Sequence, residues 1–264
     1  MPAIRTRELT KRFGECLAVD RVSLDIAPQQ NFGLLGPNGA GKSTLIKMLT
    51  TLLPPTSGQA WVTGLDIGRK PARVRGAIGY VPQMLSADGA LTGYENLLTA
   101  ARLYAVPRRE RPQRIQDALT LMGLGDAAHT PVRGYSGGMI RRLEIAQAML
   151  HRPAVLFLDE PTVGLDPAAR EAMWAHLRQL QQQLQTTILL TTHYMEEAEQ
   201  LCDRVAILDR GRIVADGSPT QLKARAGQAA TLEEAFIRLT GSQFESGGNF
   251  RDVVRTRRTA RRLG

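Results

Sequence analysis

The stretch GPNGAGKST, residues 36–44, places glycines, a lysine and a serine at the spacing an anion cradle needs. Its members are Gly36, Pro37, Asn38, Gly39, Ala40, Gly41, Lys42, Ser43 and Thr44, and they satisfy the G-x-x-x-x-G-K-[ST] pattern in full. The glycines let the backbone curl, so that successive N–H groups point inward at phosphate oxygens. Lys42 offers a compact charge to the β- and γ-phosphates, and Ser43 offers a hydroxyl to Mg²⁺, which keeps most of its waters. The apolar run NFGLLG stands before the motif and the helically spaced STLIKMLTTLL follows it. That strand–loop–helix context predicts a nucleoside-triphosphate site.

A second constellation is VLFLDEP, residues 155–161, which sets two carboxylates side by side at the end of an apolar strand. In a continuing strand, neighbouring side chains face opposite sides. Pro161 pushes Glu160 into an extended or turning conformation instead. Asp159 can then reach the Mg²⁺ shell while Glu160 faces the γ-phosphate. Phosphoryl transfer asks for positioning and charge neutralisation rather than a covalent nucleophile, so Glu160 is the candidate for polarising the attacking water. Two exposed carboxylates at a sheet edge would be the plainer reading in isolation; beside a complete phosphate loop they read as catalytic.

Other candidates are weaker one by one. His193 ends ILLTTH on a strand expected beside that of Asp159, where it would reach the γ-phosphate or the attacking water. Gln83 closes GYVPQ and could ligate Mg²⁺ or its water. Phe13 suits adenine stacking or the core equally. In GYSGGM, residues 134–139, Ser136, Gly137 and Gly138 precede a helical stretch and leave N–H groups free at its start. The chain thus holds two anion-seeking helix starts about a hundred residues apart.

These residues need elements to position them. The first thirty residues alternate in a way that suggests an antiparallel sheet. Apolar strands follow at NFGLLG, GAIGYVPQ, AVLFLD, TTILLTTH and RVAILD. Two helical segments lie in 94–124, interrupted around Pro107 and Pro112. In REAMWAHLRQLQQQL, Met173, Leu177, Leu180 and Leu184 form the stripe of a helix packed on a sheet. Alternating strands and helices predict an α/β fold, a P-loop NTPase with a mostly parallel core sheet. To it are added an N-terminal antiparallel β subdomain and an inserted α-helical subdomain at about 84–150. AILDRGRIVADG reads as a hairpin turning at Arg210–Gly211. TLEEAFIRLTG, residues 231–241, starts with a capping box at Thr231 and Glu234 and shows an apolar face of Leu232, Ala235, Phe236 and Leu239.

At 264 residues, with 43% hydrophobic and 22% charged residues, the composition is that of a globular protein able to bury one good core. No run approaches a membrane span, and the first residues lack a secretory pattern. Cys16 and Cys202 suggest neither a disulfide framework nor a thiolate metal site. The net charge of +9 suggests a polyanion partner, but residues 251–264 hold six arginines and one aspartate, +5 of that total. This tail reads as a solvated basic segment or as a contact for anionic lipid; nucleic acid ranks last, since no reading module accompanies the charge.

The order of motifs resembles the nucleotide-binding subunit of ATP-binding-cassette (ABC) transporters over roughly residues 1–240, leaving 241–264 as linker and tail. The resemblance implies that Gln83 is the Q-loop glutamine, YSGGM the signature, Asp159–Glu160 the Walker B end, GLDP (164–167) the D-loop and His193 the switch histidine. It further implies head-to-tail pairing with a second ATPase subunit, each ATP lying between one chain's phosphate loop and the other's Ser136, Gly137 and Gly138. Lys42, Glu160 and His193 would serve catalysis; Ser43, Gln83 and Asp159 would serve Mg²⁺. Tyr135 and Met139 depart from the family's leucine and glutamine, and Phe13 stands where tyrosine is common. An integral membrane permease would dock on the helical subdomain, placing the chain at the cytoplasmic face of the inner membrane. The C-terminal portion resembles bacterial exporter ATPases of the drug-resistance and nodulation-factor type. A soluble ABC ATPase, serving for instance cluster assembly, is the alternative.

Overall fold

The computed structural model describes residues 1–227 and 231–241. The predicted basic tail, 251–264, therefore lies outside the described residues, as does the predicted linker beyond Gly241.

The chain opens with β1 (Ile4–Phe13) and β2 (Cys16–Ile26), an antiparallel pair as expected. β3 (Asn31–Leu35) is buried throughout and runs into the glycine-rich loop and α1 (Lys42–Leu49). The helical stretch predicted to reach Leu53 stops four residues earlier, where Thr50 caps it and Thr51 turns left-handed at φ 63°. β4 (Ser57–Val62), β5 (Leu65–Asp66) and α2 (Pro71–Ala77) follow, none of them foreseen. β4 completes the N-terminal sheet by pairing antiparallel with β1, giving the order β2-β1-β4-β5.

After β6 (Ile78–Val81) come α3 (Gly93–Leu103), α4 (Arg111–Leu121) and α5 (Gly137–Met149). Thr92 and Glu95 close a capping box at the start of α3, and Pro112 sits in the first turn of α4, where its missing N–H costs nothing. β7 (Val155–Asp159), α6 (Pro167–Leu184), β8 (Thr187–Thr192), α7 (Met195–Leu201), β9 (Arg204–Asp209), β10 (Arg212–Gly217), α8 (Pro219–Arg225) and α9 (Leu232–Thr240) complete the described fold. The β9–β10 hairpin turns at Arg210 and Gly211, both with positive φ (46° and 78°). Thr231 caps α9 by accepting a hydrogen bond from the Glu234 N–H.

The second sheet has the order β10-β9-β3-β8-β7-β6, parallel except for β10. It is covered on both faces, and alternate residues of each strand serve different cores. Leu156 and Leu158 of β7 face the layer holding α3–α6, whereas Val155 and Phe157 face the layer holding α1 and the N-terminal sheet. β9 divides likewise, Val205 and Ile207 to one side, Ala206 and Leu208 to the other. Burying each of these valine, leucine, isoleucine and phenylalanine side chains contributes about 1.5–3 kcal/mol. On α6, Met173, Leu177 and Leu180 are buried as the stripe predicts, but Leu184 is 37% exposed. The helix ends at that residue, and Gln185 turns left-handed behind it.

Candidate functional site

β3, β8, β7 and β6 are neighbours, and all run in one direction. Their carboxyl ends release, in that order, the glycine-rich loop, His193, Asp159–Glu160 and the segment holding Gln83. Four motifs lying between Gly36 and His193 are thereby gathered at one sheet edge, where open α/β folds bind ligands.

The phosphate loop is shaped by its own backbone. Gly41 caps α1 at φ 105° with no side-chain cap, and a Cβ there would stand 2.3 Å from the Ala18 carbonyl oxygen. A side chain is excluded both by the dihedral and by the space, and the first turn of α1 presents its N–H groups without a capping side chain. Lys42, 4% exposed, donates to the carbonyls of Gly36 (2.7 Å) and Pro37 (3.1 Å). Those bonds hold the ammonium inside the loop's curl.

Glu160 is the hub. It is 6% exposed, and Lys42 Nζ and His193 Nδ1 each lie 3.4 Å from its Oε1. Gln83 Nε2 donates to its Oε2 at 3.1 Å. The His193 approach is a close contact and not an aligned hydrogen bond. Burial pushes the Glu160 carboxyl up, but His193 and Lys42 together outweigh it and hold its pKa below the ordinary value. Burial outweighs the same carboxylate at Lys42, whose pKa is lowered. The backbone at Glu160 is neither strand nor extended: φ is 51°, so the chain turns left-handed just before Pro161. For a residue with a Cβ this conformation is unfavourable, and it is sustained by the surrounding bonds.

Asp159 is 3% exposed and accepts hydrogen bonds from Ser43 Oγ (3.0 Å) and Thr191 Oγ1 (2.7 Å). The donor set fits the groups inferred from sequence. A glycine-turned loop, a lysine and an uncapped helix start suit a triphosphate, and a serine hydroxyl beside a carboxylate suits Mg²⁺, which takes hard oxygen ligands.

Two expected participants stand apart. Phe13 is 49% exposed with Lys11 Nζ 5.2 Å over its ring, so it is not a core residue. Ser136, exposed at the tip of α5, accepts a hydrogen bond from the Met139 N–H at 3.2 Å. The phosphate loop lies against Ala18 and Leu208, whereas Gly138 lies nearest Leu165 and Ala169 at the start of α6. Tyr135 is buried, its hydroxyl donating to the Ala127 carbonyl at 2.6 Å, which anchors the base of that tip.

Several residues escaped the sequence reading. Thr191 bridges Asp159 and the Glu160 N–H; as one of three threonines in the six-residue strand β8 it carried no signal of its own. Arg141 and Glu144 form a buried ion pair on α5, 3.0 Å apart. Glu197, fully buried, accepts from Thr162 Oγ1 (2.8 Å) and Trp174 Nε1 (3.2 Å), and burial pushes its carboxyl above the ordinary range. Arg170 stacks 4.2 Å over Tyr194, whose ring leans on His193.

The ABC transporter family profile matches residues 19–163. The chain is 45% identical over 225 residues to the daunorubicin/doxorubicin resistance ATP-binding protein of Streptomyces peucetius, covering 85% of this chain and 68% of that one. It is 43% identical over 220 residues to the Nod factor export ATP-binding protein I of Sinorhizobium fredii, covering 83% and 64%. Among solved structures it is similar to an ATP-binding subunit of an ABC transporter, with a TM-score of 0.80 and 29% identity over 90% of this chain and 99% of the other. It is also similar to an ATP-binding cassette solved as a dimer in a post-hydrolysis state with ADP and phosphate, with a TM-score of 0.72 and 26% identity over 81% and 98%.

Proposed function

The chain belongs to the ABC transporter family as an ATP-binding subunit, and from that premise we propose that it hydrolyses ATP to drive export through a separate membrane permease. Two copies, or this chain and a sister ATPase, close around two ATP molecules. Residues 1–240 form the ATPase unit, with the helical part at about 84–150 as the surface that meets the permease.

The observation that carries the reading is the convergence of Lys42, Gln83 and His193 on the buried Glu160 carboxylate. Glu160, ionised at neutral pH, accepts the proton of the attacking water as the new O–P bond forms and the β–γ bridging bond breaks. Lys42 neutralises charge on the β- and γ-phosphates, and His193 hydrogen-bonds the γ-phosphate. Ser43 and Asp159, with Gln83 alongside, would hold Mg²⁺, which when bound neutralises charge on the phosphate oxygens. Phe13, exposed, would stack on the adenine.

The tip of α5 supports the pairing. Among the described residues beyond the helix's own backbone and chain neighbours, a Cβ at Gly137 would meet nothing within 4 Å, and at Gly138 nothing closer than 3.6 Å; neither has positive φ. Within one chain alanine would serve as well or better, since glycine weakens a helix start. A phosphate pressed against the tip by a partner gives the glycines a purpose.

Among the described residues no helix is long and apolar enough to cross a membrane. A groove of about 190 Å³, lined by Tyr80, Ser86, Leu103, Tyr104, Glu144 and Gln147, lies on the helical part, with Met84 and Leu103 exposed nearby at 75% and 81%. It suits an apolar segment of a permease at the cytoplasmic membrane face. The six arginines of 251–264 would supply charge for anionic headgroups there. Export itself follows the similarity to the drug-resistance and Nod factor proteins. Purification of the tagged chain from membranes tests it: a stoichiometric integral membrane partner and ATP hydrolysis are expected, and a chain recovered without one contradicts it.

A further inference from the structure

Gln83 touches Glu160 through its side chain, yet what holds Gln83 is on α5. Arg141 Nη1 donates to the Pro82 carbonyl and Arg141 Nη2 to the Gln83 carbonyl, both at 2.6 Å. Nη1 also meets Glu144 Oε2 at 3.0 Å. The other Glu144 oxygen, Oε1, accepts from the Ser86 N–H and, at 3.1 Å, from the Ser86 hydroxyl. Both charged residues are 3% exposed. One buried ion pair therefore grips the Gln83 segment at both ends, at Pro82–Gln83 and again at Ser86.

The placement of the pair matters as much as its bonds. Arg141 lies three residues beyond Gly138, within the first turns of the helix whose tip is exposed. Glu144 and Ser86 also line the groove on the helical part. The pair thus stands where three regions meet: the α5 tip, the groove, and the glutamine on the catalytic carboxylate. A guanidinium is suited to this task, because its rigid fork engages two carbonyls and a carboxylate at once. A buried ion pair is a weak source of stability, so a positional role accounts better for its presence.

We propose that Arg141 and Glu144 are positioning residues for hydrolysis, a strut that fixes Gln83 against Glu160 and carries displacements of the α5 tip or the groove to that contact. The proposal rests on the reading of the α5 tip and groove given above. It assigns the pair no contact with nucleotide.

A double-mutant cycle on the full-length chain tests it. Gln83→Ala is combined with the paired replacement Arg141→Met/Glu144→Met, which removes both charges together and spares the fold an unpaired one. Arg141→Lys, which keeps the charge but loses the fork, is the milder second variant. The strut lowers kcat by about fivefold or more when broken, leaves the equilibrium affinity for ATP unchanged, and makes Gln83→Ala nearly silent in its background. Arg141→Lys shows the same pattern at smaller amplitude. If Gln83→Ala costs the same factor in both backgrounds, or if kcat falls only in step with melting temperature, the strut is refuted. ATP-dependent dimerisation of the Glu160→Gln chain is measured alongside. Its absence would overturn the two-chain reading, while the cycle would still decide the strut.

Discussion

Thr191 ties the two site carboxylates together: its hydroxyl donates to Asp159 Oδ1 at 2.7 Å and accepts from the Glu160 N–H at 3.0 Å. Glu160 also donates its N–H to the Thr191 carbonyl at 3.2 Å. The left-handed turn at Glu160 is thus held by the neighbouring strand, so the same residue sets the direction of one carboxylate and the hydrogen bonding of the other.

Thr191→Val keeps the shape and removes the hydroxyl. A buried carboxylate then loses a donor, which costs about 1–3 kcal/mol. Thermal denaturation is expected to register that loss, and steady-state phosphate release is expected to fall more steeply than ATP affinity. An unchanged kcat would show that the bridge does not position Glu160.

Glu160→Gln is expected to bind ATP and lose nearly all turnover, with an ATP-dependent dimer accumulating in gel filtration. The pH dependence of stability has a defined sign. The pKa of Glu160 lies below its ordinary 4.5, so its ionic contribution is present above that value and is lost as pH falls through the folded-state pKa. The stability gap between wild type and Glu160→Gln is therefore expected to narrow in acid. A gap that widens there would contradict the assigned partners.

Glu197→Gln probes the opposite case. Its carboxyl is raised above 4.5 by burial, so ionising it weighs against the folded state as pH rises. The glutamine retains an oxygen for Thr162 and Trp174 and carries no charge. Relative to wild type it is expected to gain stability from about pH 4.5 upward. Melting curves across pH check this, and a loss that grows toward alkaline pH would refute it.

Gly137→Ala separates stability from function. Among the described residues, nothing beyond its own helix backbone and chain neighbours lies within 4 Å of the added methyl. The variant is expected to be as stable as wild type or more so, by up to about 1 kcal/mol, while ATP hydrolysis drops sharply. Full activity would remove the reason for glycine at the α5 tip.

Much of this site was legible from the sequence because its chemistry is local. The loop 36–44 and the Asp159–Glu160 pair each carry their meaning within nine residues or fewer. His193 and Gln83 were legible only as strand ends, and their meeting at Glu160 depends on the order β3-β8-β7-β6, which periodicity does not encode. The turned conformation at Glu160 came out left-handed because Thr191, thirty-one residues away, supplies the bonds. Nothing in the sequence singles out Arg141 and Glu144; only the packing of the Pro82–Ser86 segment against α5 reveals them as a buried pair. β4 was missed because half of it is exposed and it begins Ser57–Gly58–Gln59, residues with little strand preference.

The central claim is that a working site draws its phosphate loop from one chain and its Ser136–Gly138 tip from the other. Complementation tests it most directly. Lys42→Ala disables the loop and Ser136→Arg disables the tip, so each variant alone is expected to be inactive. In a mixed pair, one site combines the intact loop of the Ser136→Arg chain with the intact tip of the Lys42→Ala chain. ATP hydrolysis measured after mixing the two variants is expected to return; a mixture as inactive as its components would contradict the account.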